Sequence, residues 1–226
     1  MTDFGTPGSF PTPPTPPMDT RSGPPWELPG AFFQRWIDTA KTILLDPMNG
    51  FSNVRRQGGI GAPLTYLAVG AAPAIVVSLL LQMFGIGGSM LGGDTGAAAG
   101  GGAMLIVFML IGIVVGVILF FVITGIIHLV LSLLGGVRHG FEATLRTLAY
   151  SYGSAAPIGM VPICGGPIAG IWALVCAVMG LANMQETTPV KAAVAIFAPV
   201  LLCCLVGFLA WGAIMAMIVG SAASMQ

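Results

Sequence analysis

The chain alternates long apolar runs with short polar breaks, and this pattern predicts membrane-spanning helices. Most of the runs supply the roughly 20 apolar residues that an α-helix needs to cross a bilayer. A helix satisfies its own backbone hydrogen bonds, so it is the expected spanning element of such runs. The pattern predicts five spans, at residues 62–84, 104–134, 141–163, 168–181 and 190–220.

A further helical pattern precedes the first span, but there the apolar residues lie on one face. Residues 31–45 place on that face Phe33, Trp36, Ile37, Ala40, Ile43 and Leu44. This arrangement predicts an amphipathic helix lying in the membrane interface, with Trp36 at the depth of the lipid headgroups. Asp46 and Pro47 are expected to end it, because the residue before a proline avoids the α-helical region.

The first 30 residues are rich in Pro, Thr, Gly and Ser. Such a composition lacks the apolar side chains of a packed core and predicts an extended, disordered tail. The expected organisation is therefore a cytoplasmic tail at residues 1–30, an interfacial helix with a basic segment at 31–61, a five-helix domain at 62–220 and a short tail at 221–226.

Composition agrees with an all-α polytopic membrane protein. Of the 226 residues, 56% are hydrophobic and only 7% are charged, and the mean hydropathy is +0.94. Soluble domains carry about 25% charged residues. The four cysteines form no CxxC pair and three of them lie within apolar runs, so we expect small buried side chains rather than metal ligands. No cofactor motif and no basic patch for nucleic acid is present.

Positive residues flank only some of the spans, which predicts the orientation. Lys and Arg occur before the first span, in the second connector and in the fourth connector, as Arg35, Lys41, Arg55, Arg56, Arg138, Arg146 and Lys191. The first connector, the third connector and the C-terminal tail have none. With five spans these segments alternate sides, which predicts a cytoplasmic N-terminus and an external C-terminus in a bacterial cytoplasmic membrane.

A charged and hydroxyl-rich segment at residues 135–157 separates two apolar regions, and we expect it to organise the protein. Arg138, Glu142 and Arg146 follow one another at intervals of four, so in one helix they form a ladder of charges on a single face. Tyr150 and Ser154 continue the segment toward the bilayer. For the charges taken alone, a positive connector with i,i+4 pairing at the membrane interface is the simpler explanation and is favoured.

Two features of the spans leave alternatives open. His128 is the ionisable residue deepest in a predicted span, and such residues suggest function; a neutral histidine bonded to a neighbouring helix is favoured over a proton relay. The small-residue pairs Gly112/Gly116 and Gly166/Gly170 allow helices to approach closely. They fit packing within the bundle and packing between copies equally well.

Several short motifs, in this order and spacing, resemble those of prokaryotic Yip-domain proteins. They lie at residues 43–47, 139–157, 170–174, 180–181 and 191–192. The resemblance implies a five-helix fold with a cytoplasmic N-terminus; eukaryotic members bind Rab GTPases, associate with one another and act in vesicle traffic. This chain retains only Asp46 and Pro47 of their Asp-Leu-Tyr-Gly-Pro segment, which weighs against a GTPase partner.

We therefore expect a non-enzymatic scaffold or membrane-organising protein. Its expected partners are the lipid bilayer and other membrane proteins, which include a second copy of this chain. The alternative is a small transporter or channel that uses the polar third helix and His128. The sequence names no catalytic, cofactor-binding or metal-binding residue. The candidate interaction or structural residues are Asp46, Pro47, His128, Arg138, His139, Glu142, Arg146, Tyr150 and Ser154.

Overall fold

Every regular element found in the computed structural model is helical; the structure describes residues 20–83, 102–162 and 164–223. Long runs without charge favour helices because each helix satisfies its own backbone in an apolar setting. Two short 3₁₀ turns, Pro25–Glu27 and Ala156–Met160, accompany the α-helices. The α-helices are α1 (Phe32–Leu45), α2 (Pro47–Gly50), α3 (Gly61–Met83), α4 (Gly102–Leu133), α5 (Phe141–Ala155), α6 (Gly165–Met184) and α7 (Pro189–Ala223).

Three segments within the described residues are long and apolar enough to cross a membrane. They are Gly61–Leu81 in α3, Met109–Leu133 in α4 and Gly165–Met184 in α6. The first part of α7, Pro189–Leu202, is a shorter apolar segment. Three of the predicted spans thus have helices of the required length and composition, and the count of five stays a prediction.

The helix observed at the predicted third span, α5, is shorter than the prediction. The α-helix ends at Ala155 and continues as the 3₁₀ turn Ala156–Met160, whereas the sequence predicted one kinked helix to residue 163. Pro157 explains the difference, because it has no N–H and its ring clashes with the carbonyl four residues earlier. At about 1.5 Å per residue, the 15 residues of α5 extend about 22 Å, less than the bilayer core of about 30 Å.

The short helix α5 is nonetheless the centre of the fold, as its sequence suggested. Twelve of its 15 residues are buried, and it contacts α1, α3, α4 and α6. Apolar residues on either side of it form two clusters. The first includes Ile43, Phe51, Tyr66 and Tyr150, and the second includes Leu131, Leu148, Leu181 and Ile196.

α1 packs on this core through only part of its surface. Thr39 and Ile43 are buried, whereas Phe33 is 72% exposed and Leu45 is 82% exposed. α1 ends at the predicted residue because Asp46 leaves the helical conformation before Pro47. The carboxylate of Asp46 then accepts from the backbone N–H of Asn49, at 3.2 Å, and caps α2.

Glycines allow one close helix crossing, but not at the predicted pairs. α3 meets α5 at Gly70, where an added Cβ would overlap the carbonyl oxygen of Gly153. Gly112, Gly116, Gly166 and Gly170 instead face open space, with no atom of the described residues within 4 Å of an added Cβ. The predicted pairs therefore do not serve packing within this part of the bundle.

Candidate functional site around Arg146

Arg146 lies near the start of α5 with none of its side chain exposed, and each of its nitrogen atoms has a partner. Nε donates to Oε1 of Glu142 at 3.0 Å, one helical turn away. Nη1 donates to Oε1 of Glu27 at 2.5 Å, and Nη2 donates to the carbonyl of Gly59 at 2.8 Å. A buried guanidinium requires such a complete set of acceptors because its desolvation is costly.

The two carboxylates also bind groups other than Arg146. Oε1 of Glu27 accepts a second hydrogen bond from the hydroxyl of Tyr150, at 2.6 Å. Oε1 of Glu142 accepts from the backbone N–H of Gly59, also at 2.6 Å. We call these five residues, Glu27, Gly59, Glu142, Arg146 and Tyr150, the Arg146 network. It joins the N-terminal segment, the loop before α3 and helix α5.

The N-terminal segment is therefore part of the fold. We call residues 20–30 the strap. Trp26 of the strap is 8% exposed; its backbone N–H donates to Oγ1 of Thr39 and its indole N–H donates to the carbonyl of Ala62. Arg21 donates to the carbonyl of Phe51. The predicted disordered tail is thus wrong for residues 20–30, and residues 1–19 lie outside the described part of the chain.

The predicted ladder of charges forms only in part. Glu142 and Arg146 pair as expected. Arg138, however, precedes α5, which begins at Phe141, so it is not placed one helical turn from Glu142. Arg138 makes no ion pair within the described residues, and its backbone N–H donates to Oε1 of Gln185 at 3.1 Å. The second charged partner of Arg146 is Glu27, which lies 119 residues earlier.

His128 belongs to a second polar cluster. Its Nδ1 lies 2.9 Å from Oγ1 of Thr144 on α5, and the amide nitrogen of Gln185 donates to the same oxygen at 3.0 Å. Oε1 of Gln185 also accepts from the backbone N–H of His139, at 2.8 Å. Sequence reasoning missed Gln185, which directly follows α6 as its C-cap residue and belongs to no periodic pattern.

A third cluster lies at the turn between α6 and α7. The carboxylate of Glu186 pairs with Arg56 and lies 3.6 Å from Nε2 of His139. The hydrogen bond from Arg56 and its positive charge hold the pKa of Glu186 below its ordinary value. Glu186 has a φ of 50°, a conformation that is uncommon for residues other than glycine. The residue that pairs with Arg56 therefore also has an unusual backbone conformation.

Ser154 and Asp46 have separate partners. The hydroxyl of Ser154 lies 2.8 Å from that of Tyr66, and both are buried between α3 and α5. Asp46 is exposed, and the hydrogen bonds from Asn49 lower the pKa of its carboxyl group. Ser154 of α5 is thus paired with a side chain of the neighbouring helix α3. Among the described residues, no three His, Cys, Asp or Glu side chains gather as metal ligands would.

Comparison with known families gives a match that covers most of the chain. The family model described as Yip1 domain matches residues 41–221, which is more than half of the chain. The chain belongs to the Yip1 domain family. No curated protein and no solved structure matches it. The resemblance found in the sequence is thus confirmed for the Yip domain.

The boundary of the Yip1 match divides the Arg146 network. Gly59, Glu142, Arg146 and Tyr150 lie within the matched residues, whereas Glu27 and the rest of the strap precede them. The Yip1 domain of this protein therefore supplies a buried arginine, and a segment outside the matched domain supplies one of its two carboxylates.

Proposed function

We propose that this protein is a non-enzymatic, multi-pass membrane scaffold that holds its N-terminal segment, and the partners bound to it, at a fixed place on the membrane. The observation that carries the proposal is the buried pair between Glu27 of the strap and Arg146 of α5. Because the pair is enclosed and Tyr150 adds a hydrogen bond, the strap is fixed to the centre of the fold. The proline-rich residues 1–19, which lie outside the described part of the chain, are thereby joined to a fixed attachment point.

The proposed orientation places the N-terminus in the cytoplasm and the C-terminus outside a bacterial cytoplasmic membrane, with five spans. Contacts between three loops support it. Arg56 before α3 and His139 before α5 both approach Glu186 before α7. Loops that touch one another lie on one side of a membrane, and these three loops are the ones that carry the positive residues.

We also place α1 in the membrane interface, with its exposed apolar residues toward lipid. Phe33 and Leu45 support this placement, since both are largely exposed on a helix that packs against α5 and contacts α6. A fluorescent label on α1 should report a shallower depth after Phe33→Glu than in the unchanged protein. An unchanged depth would contradict the placement.

A crosslinking pull-down from native membranes tests the scaffold. The unchanged chain should capture a defined set of membrane or cytoplasmic partners. Deletion of residues 1–19 should remove most of that set, and Glu27→Ala should reduce it by loosening the strap. Asp38→Asn serves as the control, because Asp38 only accepts a surface hydrogen bond from Gln34. Capture that is identical with and without the tail would reject this function.

A small transporter or channel is the second candidate, and the polar cluster around His128 favours it. The contacts from His128 through Thr144 to Gln185 connect a candidate span with the turn before α7. Purified protein in liposomes should then conduct a solute or protons, and His128→Ala should abolish the flux. The absence of flux in the unchanged protein would remove this candidate.

A further inference from the structure

An open apolar groove of about 240 Å³ lies between α1 and the end of α5. Trp36, Ala40 and Leu44 of α1 form one wall, and Pro157 and Ile158 form the other. Covering this apolar surface with another apolar group is favourable, because it removes the surface from water. The groove therefore suits an apolar chain.

One cationic side chain lines this groove. Lys41 is exposed, and it makes no ion pair within the described residues. The other charged side chains of α1 are engaged elsewhere: Arg35 donates to the carbonyls of Trp26 and Leu28, and Asp38 accepts from Gln34. A lysine stem can lie along apolar surface while its ammonium group reaches the headgroup layer.

We propose that this groove binds one acyl chain of an anionic phospholipid, whose phosphate pairs with Lys41. Charge complementarity and the apolar walls together specify an amphiphile with an anionic head. Leu45 at the groove is 82% exposed, so the groove adjoins an exposed apolar surface that the proposed placement of α1 turns toward lipid. The inference rests on the proposed membrane placement of α1, and it is independent of the partner-binding role of the strap.

Native mass spectrometry of the full chain tests the groove, with dioleoylphosphatidylglycerol as the anionic probe and dioleoylphosphatidylcholine as the zwitterionic one. The unchanged protein should retain the anionic lipid severalfold more than the zwitterionic lipid. Lys41→Gln should abolish this preference, and Ala40→Trp should fill the groove and reduce retention of both lipids. Lys191→Gln is the matched control, since it removes one positive charge from the start of α7. It should behave like the unchanged chain.

Several results would overturn the proposal. Equal retention of both lipids by the unchanged protein would remove the anionic preference, and an equal loss with Lys191→Gln would indicate a diffuse charge effect. Lys41→Gln alters only an exposed side chain, so this variant should fold even if Ala40→Trp does not. If Lys41→Gln retains the anionic lipid as well as the unchanged protein does, the proposed site is rejected. Partner capture by the strap is measured separately, so a failure here leaves the scaffold proposal intact.

A photo-crosslinking residue in place of Leu45, an exposed residue that lines the groove, identifies the occupant directly. In membranes that contain the anionic probe, the expected adduct has the mass of one phospholipid. A crosslink to a second copy of the chain, or to another segment of the same chain, would show that protein covers the groove and would reject the lipid site.

Discussion

The hydroxyl of Tyr150 donates a hydrogen bond to Oε1 of Glu27 across 2.6 Å, although 123 residues separate them. The same oxygen accepts from Arg146 at 2.5 Å. One carboxylate outside the Yip1 match therefore completes the hydrogen bonding of two side chains inside it. Removal of that carboxylate should act on the whole fold and not only on the strap.

Glu27→Ala is expected to destabilise the protein strongly. Loss of one partner of a buried ion pair costs about 3–5 kcal/mol, because the remaining charge stays buried without full compensation. Denaturant unfolding in detergent measures the change, and Asp38→Asn on the surface of α1 should stay within about 0.5 kcal/mol of the unchanged protein. Equal stability of the two variants would mean that the strap does not stabilise Arg146.

Glu142→Gln should have a smaller effect than Glu27→Ala. Its side chain is 28% exposed, and the amide oxygen of glutamine can still accept from Arg146 or from Gly59. The loss of a charged partner with retention of an acceptor is expected to cost about 1–3 kcal/mol. Arg138→Gln is the control on the same polar segment, and it should change thermal stability little. If Arg138→Gln lowers the stability as much as Glu142→Gln does, the result would support the predicted ladder of three charged residues.

Gly70→Ala should disrupt the crossing of α3 and α5. The new methyl group would overlap the carbonyl oxygen of Gly153, and overpacking of this kind typically costs about 1–3 kcal/mol. Gly116→Ala is the matched control, because the described residues leave open space there. It should leave the thermal stability unchanged or slightly higher. If Gly116→Ala destabilises instead, that face of α4 packs against another molecule or segment.

Acid should weaken the contact between Glu186 and Arg56. The pKa of Glu186 is lowered from its ordinary value of 4.5 in the folded protein, so its stabilising contribution is present above that pH and is lost as the pH falls through the lower folded value. The stability difference between the unchanged protein and Glu186→Gln should therefore shrink in acid. Arg56→Gln should remove most of the pH dependence of that difference. A difference that is constant from neutral pH into strong acid would contradict the assignment.

Reporter fusions test the proposed orientation. A reporter that is active only outside the cytoplasm should function after Gln226 and near Asp94, which lies outside the described residues. It should fail near His139 and near Glu186, whose side chains approach each other in the structure. Opposite activities at these last two positions would contradict both the five-span arrangement and the loop contact.

The apolar runs determine from sequence alone where the long helices lie. The boundaries of α3, α4 and α6 all lie within three residues of the predicted ones, because a long apolar run in a chain with few charges has few alternatives to a helix. The end of α1 at Asp46 and the pairing of Glu142 with Arg146 were also predictable from the sequence, since both depend on residues at most four positions apart.

The tertiary structure decided which distant residues complete the polar clusters. Glu27, Gly59 and Gln185 carried no recognisable pattern, and the composition of residues 1–30 pointed to a disordered tail. Their roles depend on helix packing, which for Glu27 creates a contact with Tyr150 across 123 residues of sequence. Once Arg146 is buried it needs a full set of acceptors, and a periodic pattern specifies only those on its own helix.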